Sequence, residues 1–558
     1  MKRDIGALTD KEFDLVIVGG GAFGACAAWE ASLRGLSVAL VERGDFCQAT
    51  SANHFKLVHG GIRYLQHLDI KRVRESSKER SALLRNAPHL VKPLPIVVPT
   101  YGYGLKSRAV LGVGLKLYDT LTFDRNNGIL DPDRMVPASS TISREQVLEI
   151  FPNLHSDGLT GAGIFADGQM INPPRLVLAF IRSAVYAGAT AANYVAAKKL
   201  ILKGNRVIGI DVEDKLTDQK FKIHGRIVLN TAGPWAERLL DQQPALRLNQ
   251  RQTFSRDACF IVKKKLSETY GLAVSGRTSD PDALLSREKR HLFIAPWREY
   301  SLIGVWHVVY GGDPDQFTVT REDLREFLDE VNEAYPRLNL GLKDIVRWNA
   351  GLTLFGDNQD GSENLSYGKR SVLYDHADQN NIEGLVTLIG VRATTARGMA
   401  EKVVGMILGK LGEPAHPSRT VTTRVHGGDI DNFKSFVKEI QQSCATKIEA
   451  ATASALSRNY GSAVSEVLQY GDVDGSLLER IGQTTTIKAE VVHAVREEMA
   501  MHLADVVYRR TDMASGAYPD DDTIKICAAV MGKEMEWDQV HQASEVEAVK
   551  KLFQGVDV

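Results

Sequence analysis

The stretch Asp14-Leu15-Val16-Ile17-Val18-Gly19-Gly20-Gly21-Ala22-Phe23-Gly24 narrows the possible folds more than any other. A run of apolar, strand-forming residues ends on Gly19-x-Gly21-x-x-Gly24, and Ala25 to Ala31 continue as helix formers. Strand, tight turn and helix in that order open a dinucleotide-binding unit. Gly19 permits the sharp turn, Gly21 lets a pyrophosphate approach the backbone, and Gly24 lets helix and strand pack closely. The N–H groups that begin the helix, at Ala22 and Phe23, face phosphate charge. The next strand, Ser37 to Val41, ends on Glu42, eighteen residues beyond Gly24, where a carboxylate can accept hydrogen bonds from ribose hydroxyls.

At 558 residues the chain needs two or three domains. Its 68 basic and 69 acidic residues nearly cancel, which argues against a dedicated nucleic-acid binder. No apolar run reaches the length of a membrane span, and no apolar signal segment precedes the first strand, so a cytoplasmic protein is expected. The five cysteines, Cys26, Cys47, Cys259, Cys444 and Cys527, show no C-x-x-C spacing, which fits a reducing compartment and no metal site. Cys47 alone lies close enough to the nucleotide motif to be considered for function.

Beyond Glu42, the loop Arg43 to Asn53 is rich in hydroxyls and small residues, and it leads to Lys56-Leu57-Val58-His59-Gly60-Gly61-Ile62-Arg63-Tyr64-Leu65. Thr50-Ser51, His59-Gly60-Gly61 and Arg63-Tyr64-Leu65 together resemble the FAD-dependent glycerol-3-phosphate dehydrogenases, of the fold group that includes D-amino-acid oxidase. The residues themselves suit a flavin: hydroxyls and backbone N–H groups for the pyrophosphate and ribityl chain, and glycines against a flat ring. The resemblance continues through Asp167 to Val177, through Asn230-Thr231-Ala232-Gly233-Pro234-Trp235, and through Gly390-Val391-Arg392-Ala393-Thr394-Thr395. It ends in the C-terminal helices around Tyr460-Gly461-Ser462, His493 and Asp505 to Thr511, near Trp537.

The remaining patterns are local. Asp69 to Asn86 reads as a helix ended by Pro88, and Pro173-Pro174 as a helix start. Ala109 to Leu121 reads as an apolar helix that could pack in a core or rest on a bilayer surface. Lys198 to Val212 and Lys220 to Val228 read as a hairpin, and 253–310 as a strand-rich roof over the flavin. Thr394 and Thr395 are natural helix N-caps. Val492, Val495, Met499, Leu503 and Val506 form one apolar stripe, with Arg509 and Arg510 in its last turn.

In four places the pocket departs from the family pattern. Thr353 stands where the family has an arginine, Asp257 where it has a histidine, and Gly390-Val391-Arg392 where it has Gly-Gly-Lys. Val305-Trp306-His307 replaces Thr-Thr-Asp, with Trp306 adding bulk. Arg63, Tyr64 and Arg370, the last within Gly368-Lys369-Arg370, match. With Arg392, the arginines suit a phosphate or carboxylate. Asp257 and His307 are the candidates for taking the hydroxyl proton, His307 because imidazole exchanges protons near neutral pH. Asp257 could instead pair with Arg256 or Arg392, and His307 could be a packed strand residue. These changes lead to the expectation that glycerol 3-phosphate itself is a poor substrate.

The reading is an α/β chain: a Rossmann-like FAD-binding domain (12–90, 160–245 and 345–412), an antiparallel β-sheet substrate domain (91–159 and 246–344) and a C-terminal α-helical domain (428–558). The resemblance implies oxidation of an anionic hydroxylated small molecule, glycerol 3-phosphate or a related polyol phosphate or hydroxy acid, by hydride transfer to flavin N5. Quinone or dioxygen would reoxidise the flavin. Cofactor contacts are expected from Gly19, Gly21, Ala22, Phe23, Gly24, Glu42, Arg43, Thr50, Ser51, His59, Gly60, Gly61, Ala232, Gly233, Trp235, Gly390, Arg392, Thr394 and Thr395. Substrate contacts are expected from Arg63, Tyr64, Arg370 and Thr353, and catalysis from His307, Asp257 and Arg392. A homodimer and peripheral contact at the inner membrane face stay open. The alternatives are an amine oxidase like D-amino-acid oxidase and a redox-inactive flavin-binding protein.

Overall fold

The computed structural model describes residues 1–104, 107–279, 289–355, 370–414 and 416–554. The chain divides into two compact units, one of Met1–Ala52, Asn172–Gln252 and Lys369–Gln554, the other of Asn53–Ile171 and Thr253–Gly368.

The first unit is built on a sheet of eight strands. Its main path runs Val372–Asp375, Leu385–Ile389, Lys220–Asn230, Phe13–Val18, Val38–Val41, Thr190–Ala192. Phe13–Val18 pairs in parallel with both neighbours, Leu15 opposite Ile227 on one side and Val38 on the other. Strands covered on both faces read as unbroken apolar runs rather than alternating ones, which is why Leu15, Val16 and Ile17 are all fully buried. Helix Ala22–Leu33 packs against helices Pro173–Tyr186 and Ala396–Leu411, with Trp29 stacked on Phe180 at 5.6 Å. Val195–Lys203, Arg206–Asp214 and Lys220–Asn230 form an antiparallel meander that extends the expected hairpin by a strand.

The C-terminal helices belong to this same unit. The expected single stripe is broken: helix Lys488–Glu498 stops at Met499, whose φ of 54° is left-handed, and a π-turn, Val506–Arg510, follows. The break is stabilised electrostatically. Asp505 Oδ2 accepts from Met501 and His502 N–H at 2.8 and 3.0 Å, and Glu498 turns inward to Arg175 at 2.6 Å and Arg182 at 3.1 Å.

The second unit carries a nine-stranded sheet in the order Ile345–Leu354, Phe254–Val262, Tyr300–Tyr310, Lys289–Trp297, Gly271–Ser279, Val91–Tyr101, Leu159–Met170, Leu57–Val58, with Ser140–Ile142 on Leu159–Met170. It is antiparallel except where Gly271–Ser279 runs parallel to Val91–Tyr101. Residues 53–90, 160–171 and 345–355, expected with the nucleotide domain, lie here because ladder hydrogen bonds claim them. Leu57 pairs with Gln169, Val91 with Met170, and Ile345–Leu354 with Phe254–Val262. Helix Arg321–Ala334 covers one face of the sheet through Phe327, 4.8 Å from Phe260 and 5.9 Å from Trp306.

Candidate functional site

In the first unit the glycine motif forms a tight cradle. Gly19 has φ +110°, and a Cβ there would lie 2.7 Å from the Thr231 carbonyl oxygen; at Gly24 a Cβ would collide with Gly19 O and Thr231 Oγ1. Gly21 is the N-cap of helix Ala22–Leu33 and has no side chain of its own to cap it. Ala22 N–H donates to Ser51 Oγ at 3.0 Å, which places the Thr50-Ser51 loop beside that start. Phe23 packs its ring on Gly390, where any side chain would collide with it. Arg43 lies over the Trp235 indole at 4.3 Å, next to the Ala232-Gly233 turn, where Gly233 has φ +56°.

Glu42 does more than wait for a ribose. Its carboxylate accepts from Gly20 N–H at 2.7 Å and Gly44 N–H at 3.0 Å, so it also shapes the phosphate loop; burial pushes its carboxyl upward against those two bonds. Thr395 holds the N-cap position of helix Ala396–Leu411, but its side chain makes no cap bond. Thr395 Oγ1 instead donates to Arg392 O at 3.1 Å, and Thr394 is buried. Arg370 and Arg392 lie in this unit, Arg370 exposed; Gly368 and Lys369 lie outside the described residues. All five cysteines are buried and outside any disulfide, and burial pushes the Cys47 thiol far up, so it is packing rather than a nucleophile.

In the second unit the His59-Gly60-Gly61 segment is held from beneath. Asp167 takes Gly60 N–H at 2.7 Å and faces His59 Nδ1 at 3.1 Å, while Tyr118 OH donates to Gly60 O at 2.9 Å. Buried Arg80 sits behind them, where a Cβ on Gly60 would collide with it. Gly61, at φ +88°, begins the short helix Ile62–His67 that presents Arg63 to solvent, and Tyr64 lies under Arg72 at 4.6 Å. His291 is pushed down to about 4, chiefly by burial and then by the charge of Arg63.

The strands Phe254–Val262, Tyr300–Tyr310 and Ile345–Leu354 bring the divergent positions together. Asp257 pairs in register with His307, and Ser255 with Thr353, so Asp257, His307 and Thr353 share one sheet face. His307 Nδ1 lies 2.7 Å from Asp257 Oδ1, and the imidazole stacks on Phe355 at 5.9 Å. Arg256, a partner considered for Asp257, points to the opposite face and bonds Asp323 at 2.7 Å. Trp306 is also on that opposite face, stacked against Phe327, and so does not reshape the pocket as expected. Buried Lys56 was not singled out from the sequence. Its amine lies over Trp297 at 4.7 Å and is pulled down to about 8 by burial.

The family described as FAD dependent oxidoreductase matches residues 14–391, and the C-terminal domain of alpha-glycerophosphate oxidase matches residues 418–542. The glycerol-3-phosphate dehydrogenase of Synechocystis sp. is 31% identical over 522 residues, 92% of this chain and 91% of that protein. The mitochondrial glycerol-3-phosphate dehydrogenase of Homo sapiens is 30% identical over 571 residues, 97% of this chain and 73% of that protein. Among solved structures, the glycerol-3-phosphate dehydrogenase from Bacillus halodurans complexed with FAD aligns with a TM-score of 0.75 at 24% identity, over 99% of this chain and 96% of that one, a likeness of fold.

Proposed function

The chain belongs to the FAD-dependent oxidoreductases of the glycerol-3-phosphate dehydrogenase family, and on that premise we propose that it oxidises an anionic hydroxylated small molecule, glycerol 3-phosphate or a related polyol phosphate or hydroxy acid. The Gly19–Gly24 cradle, the helix start at Ala22 and Glu42 fit the ADP half of FAD, and bound FAD supplies a hydride acceptor.

The observation that carries the reading is the 2.7 Å pair of His307 Nδ1 and Asp257 Oδ1. An ionised Asp257 accepts the Nδ1 proton and so fixes the tautomer in which Nε2 bears the lone pair. As hydride leaves the carbinol carbon, that lone pair takes the hydroxyl proton, and Asp257 stabilises the resulting imidazolium. Phe355 limits rotation of the ring. Arg63, exposed on its short helix, is the second unit's cation for the substrate anion, and Tyr64 stands beside it. Thr353 leaves the Asp257 face with one cation fewer than the family pattern, which disfavours a dianion there.

Anaerobic mixing of the holoenzyme with glycerol 3-phosphate, glycerate and neutral glycerol tests this through loss of the flavin's visible absorbance. Bleaching by an anionic alcohol but not by glycerol is expected, and bleaching by none of a wider panel of polyol phosphates and hydroxy acids would overturn the proposal. Thr353→Arg, which restores a cation, is expected to lower KM for glycerol 3-phosphate by about tenfold, the equivalent of one 1.4 kcal/mol contact. Quinone or dioxygen serves as acceptor in this reading.

Peripheral membrane contact is part of the same proposal. Among the described residues no helix is long and apolar enough to cross a membrane. Helix Arg108–Leu121, however, exposes Val110, Val113 and Leu117, with Phe123 just beyond it 78% exposed. Co-sedimentation with lipid vesicles that Val113→Asp abolishes is the expected result.

A further inference from the structure

The loop that follows Glu42 grips the phosphate loop from several sides. Glu42 holds Gly20 N–H, Cys47 N–H donates to Gly20 O at 3.1 Å, and the Phe46 ring packs where a Cβ on Gly20 would lie only 2.6 Å away. The middle of this loop is Asp45, whose side chain is completely buried. Its Oδ1 accepts from Arg510 Nη2 at 2.7 Å and Asn193 Nδ2 at 2.9 Å. Its Oδ2 accepts from Arg509 Nε at 2.6 Å and Arg510 Nη1 at 2.8 Å. Both arginines come from the π-turn Val506–Arg510, some 465 residues away in sequence. Arg509 also pairs with Asp505, so two arginines balance two carboxylates, and Arg510 Nε donates to Glu498 O at 3.1 Å. Burial would raise the Asp45 carboxyl, but the guanidinium groups of Arg510 and Arg509 outweigh it and hold the group at about 2.

We infer that Arg509 and Arg510 of the C-terminal helical region are positioning residues for the FAD site, acting through Asp45 to hold the 42–47 loop, and with it Gly20, in the conformation that receives the pyrophosphate. The bidentate Arg510–Asp45 fork fixes direction as well as distance, which a lysine could not do. Coupling of this kind is reciprocal: whatever the π-turn contributes to FAD binding, FAD returns to the order of the π-turn. A π-turn inside a helix is an uncommon conformation, and here it is what aims both arginines the same way.

Three measurements test the inference without substrate. FAD is titrated into apoprotein, following quenching of flavin fluorescence, for the native chain, Asp45→Asn, Arg510→Lys, and Arg496→Ala, whose exposed pair with Glu534 lies elsewhere in the C-terminal region. Apoprotein thermal midpoints are recorded for all four. Expected are Kd increases of at least tenfold for Asp45→Asn and Arg510→Lys and none for Arg496→Ala. FAD-induced slowing of amide hydrogen exchange at residues 506–511 of the native chain is expected as well; it needs no variant and so stands even if Asp45→Asn fails to fold. Kd values within twofold of native in folded variants, or exchange at 506–511 unchanged by FAD, would overturn the inference.

Discussion

Asp257→Asn removes one charge from the His307 pair and little else. Asparagine keeps the shape and can still accept from Nδ1–H through its carbonyl oxygen, but it cannot stabilise an imidazolium. Both side chains are largely withheld from water, at 17% and 20% exposure for His307 and Asp257, so solvent screening does not erase the loss. A hydrogen bond to a charged group is worth about 1.5–3 kcal/mol. Because His307 becomes charged only as it takes the substrate proton, the loss falls on the transition state, and at about 1.36 kcal/mol per tenfold it slows flavin reduction by roughly 10- to 150-fold. KM should hardly change, since in the proposed mechanism the lost interaction is made only in the transition state. The assay is anaerobic stopped-flow reduction of the bound flavin at saturating substrate, with the thermal midpoint as a check on folding. His307→Ala should cost more, about 10²- to 10⁴-fold. A reduction rate within twofold of native in a folded Asp257→Asn protein would refute the role of the pair.

Three other outcomes follow from where these side chains lie. Gly24→Ala puts a Cβ into Gly19 O and Thr231 Oγ1, so a chain isolated without flavin and destabilised by about 1–3 kcal/mol is expected, read by absorbance and thermal midpoint. Trp306→Leu loses its stack on Phe327 and should lower stability by about 1–3 kcal/mol while leaving KM unchanged, because Trp306 faces away from Asp257; a large KM change would contradict that placement. Glu490 is pushed up to about 8 by burial, so the folded chain holds its proton where the unfolded chain, near 4.5, has released it. The associated stability is complete below about pH 4.5 and is lost as pH rises through about 8. Glu490→Gln should therefore gain on native by up to the order of 4 kcal/mol at pH 9 and not at pH 4, as shown by unfolding midpoints across pH.

The nucleotide cradle was legible in the sequence because its parts are contiguous: turn, phosphate loop and helix start occupy Val18 to Gly24, and glycine's missing Cβ has the same consequence wherever it occurs. The helix starts at Pro173-Pro174 and near Asp69 were legible for the same reason, since proline tolerance and helical patterning are local, and the structure adds their caps, Asn172 and Asp69. The apolar stripe from Val492 to Val506 misled because periodicity records which residues want burial and not where buried charges will break a helix. The sequence alone thus determined the parallel nucleotide sheet, the glycine turn and the presence of residues that depart from the family pattern at the positions proposed for substrate. Only the tertiary structure decided their partners. Trp306 and His307 are neighbours, so a strand must send them to opposite faces, but which one meets Asp257 depends on pairing with a strand 50 residues away and on the irregularity beside Cys259 and Gly304. Asp45 met Arg510 across some 465 residues on the same terms. A charge carries no address in the sequence, and its partner is set when packing closes and every ion left inside must be paired.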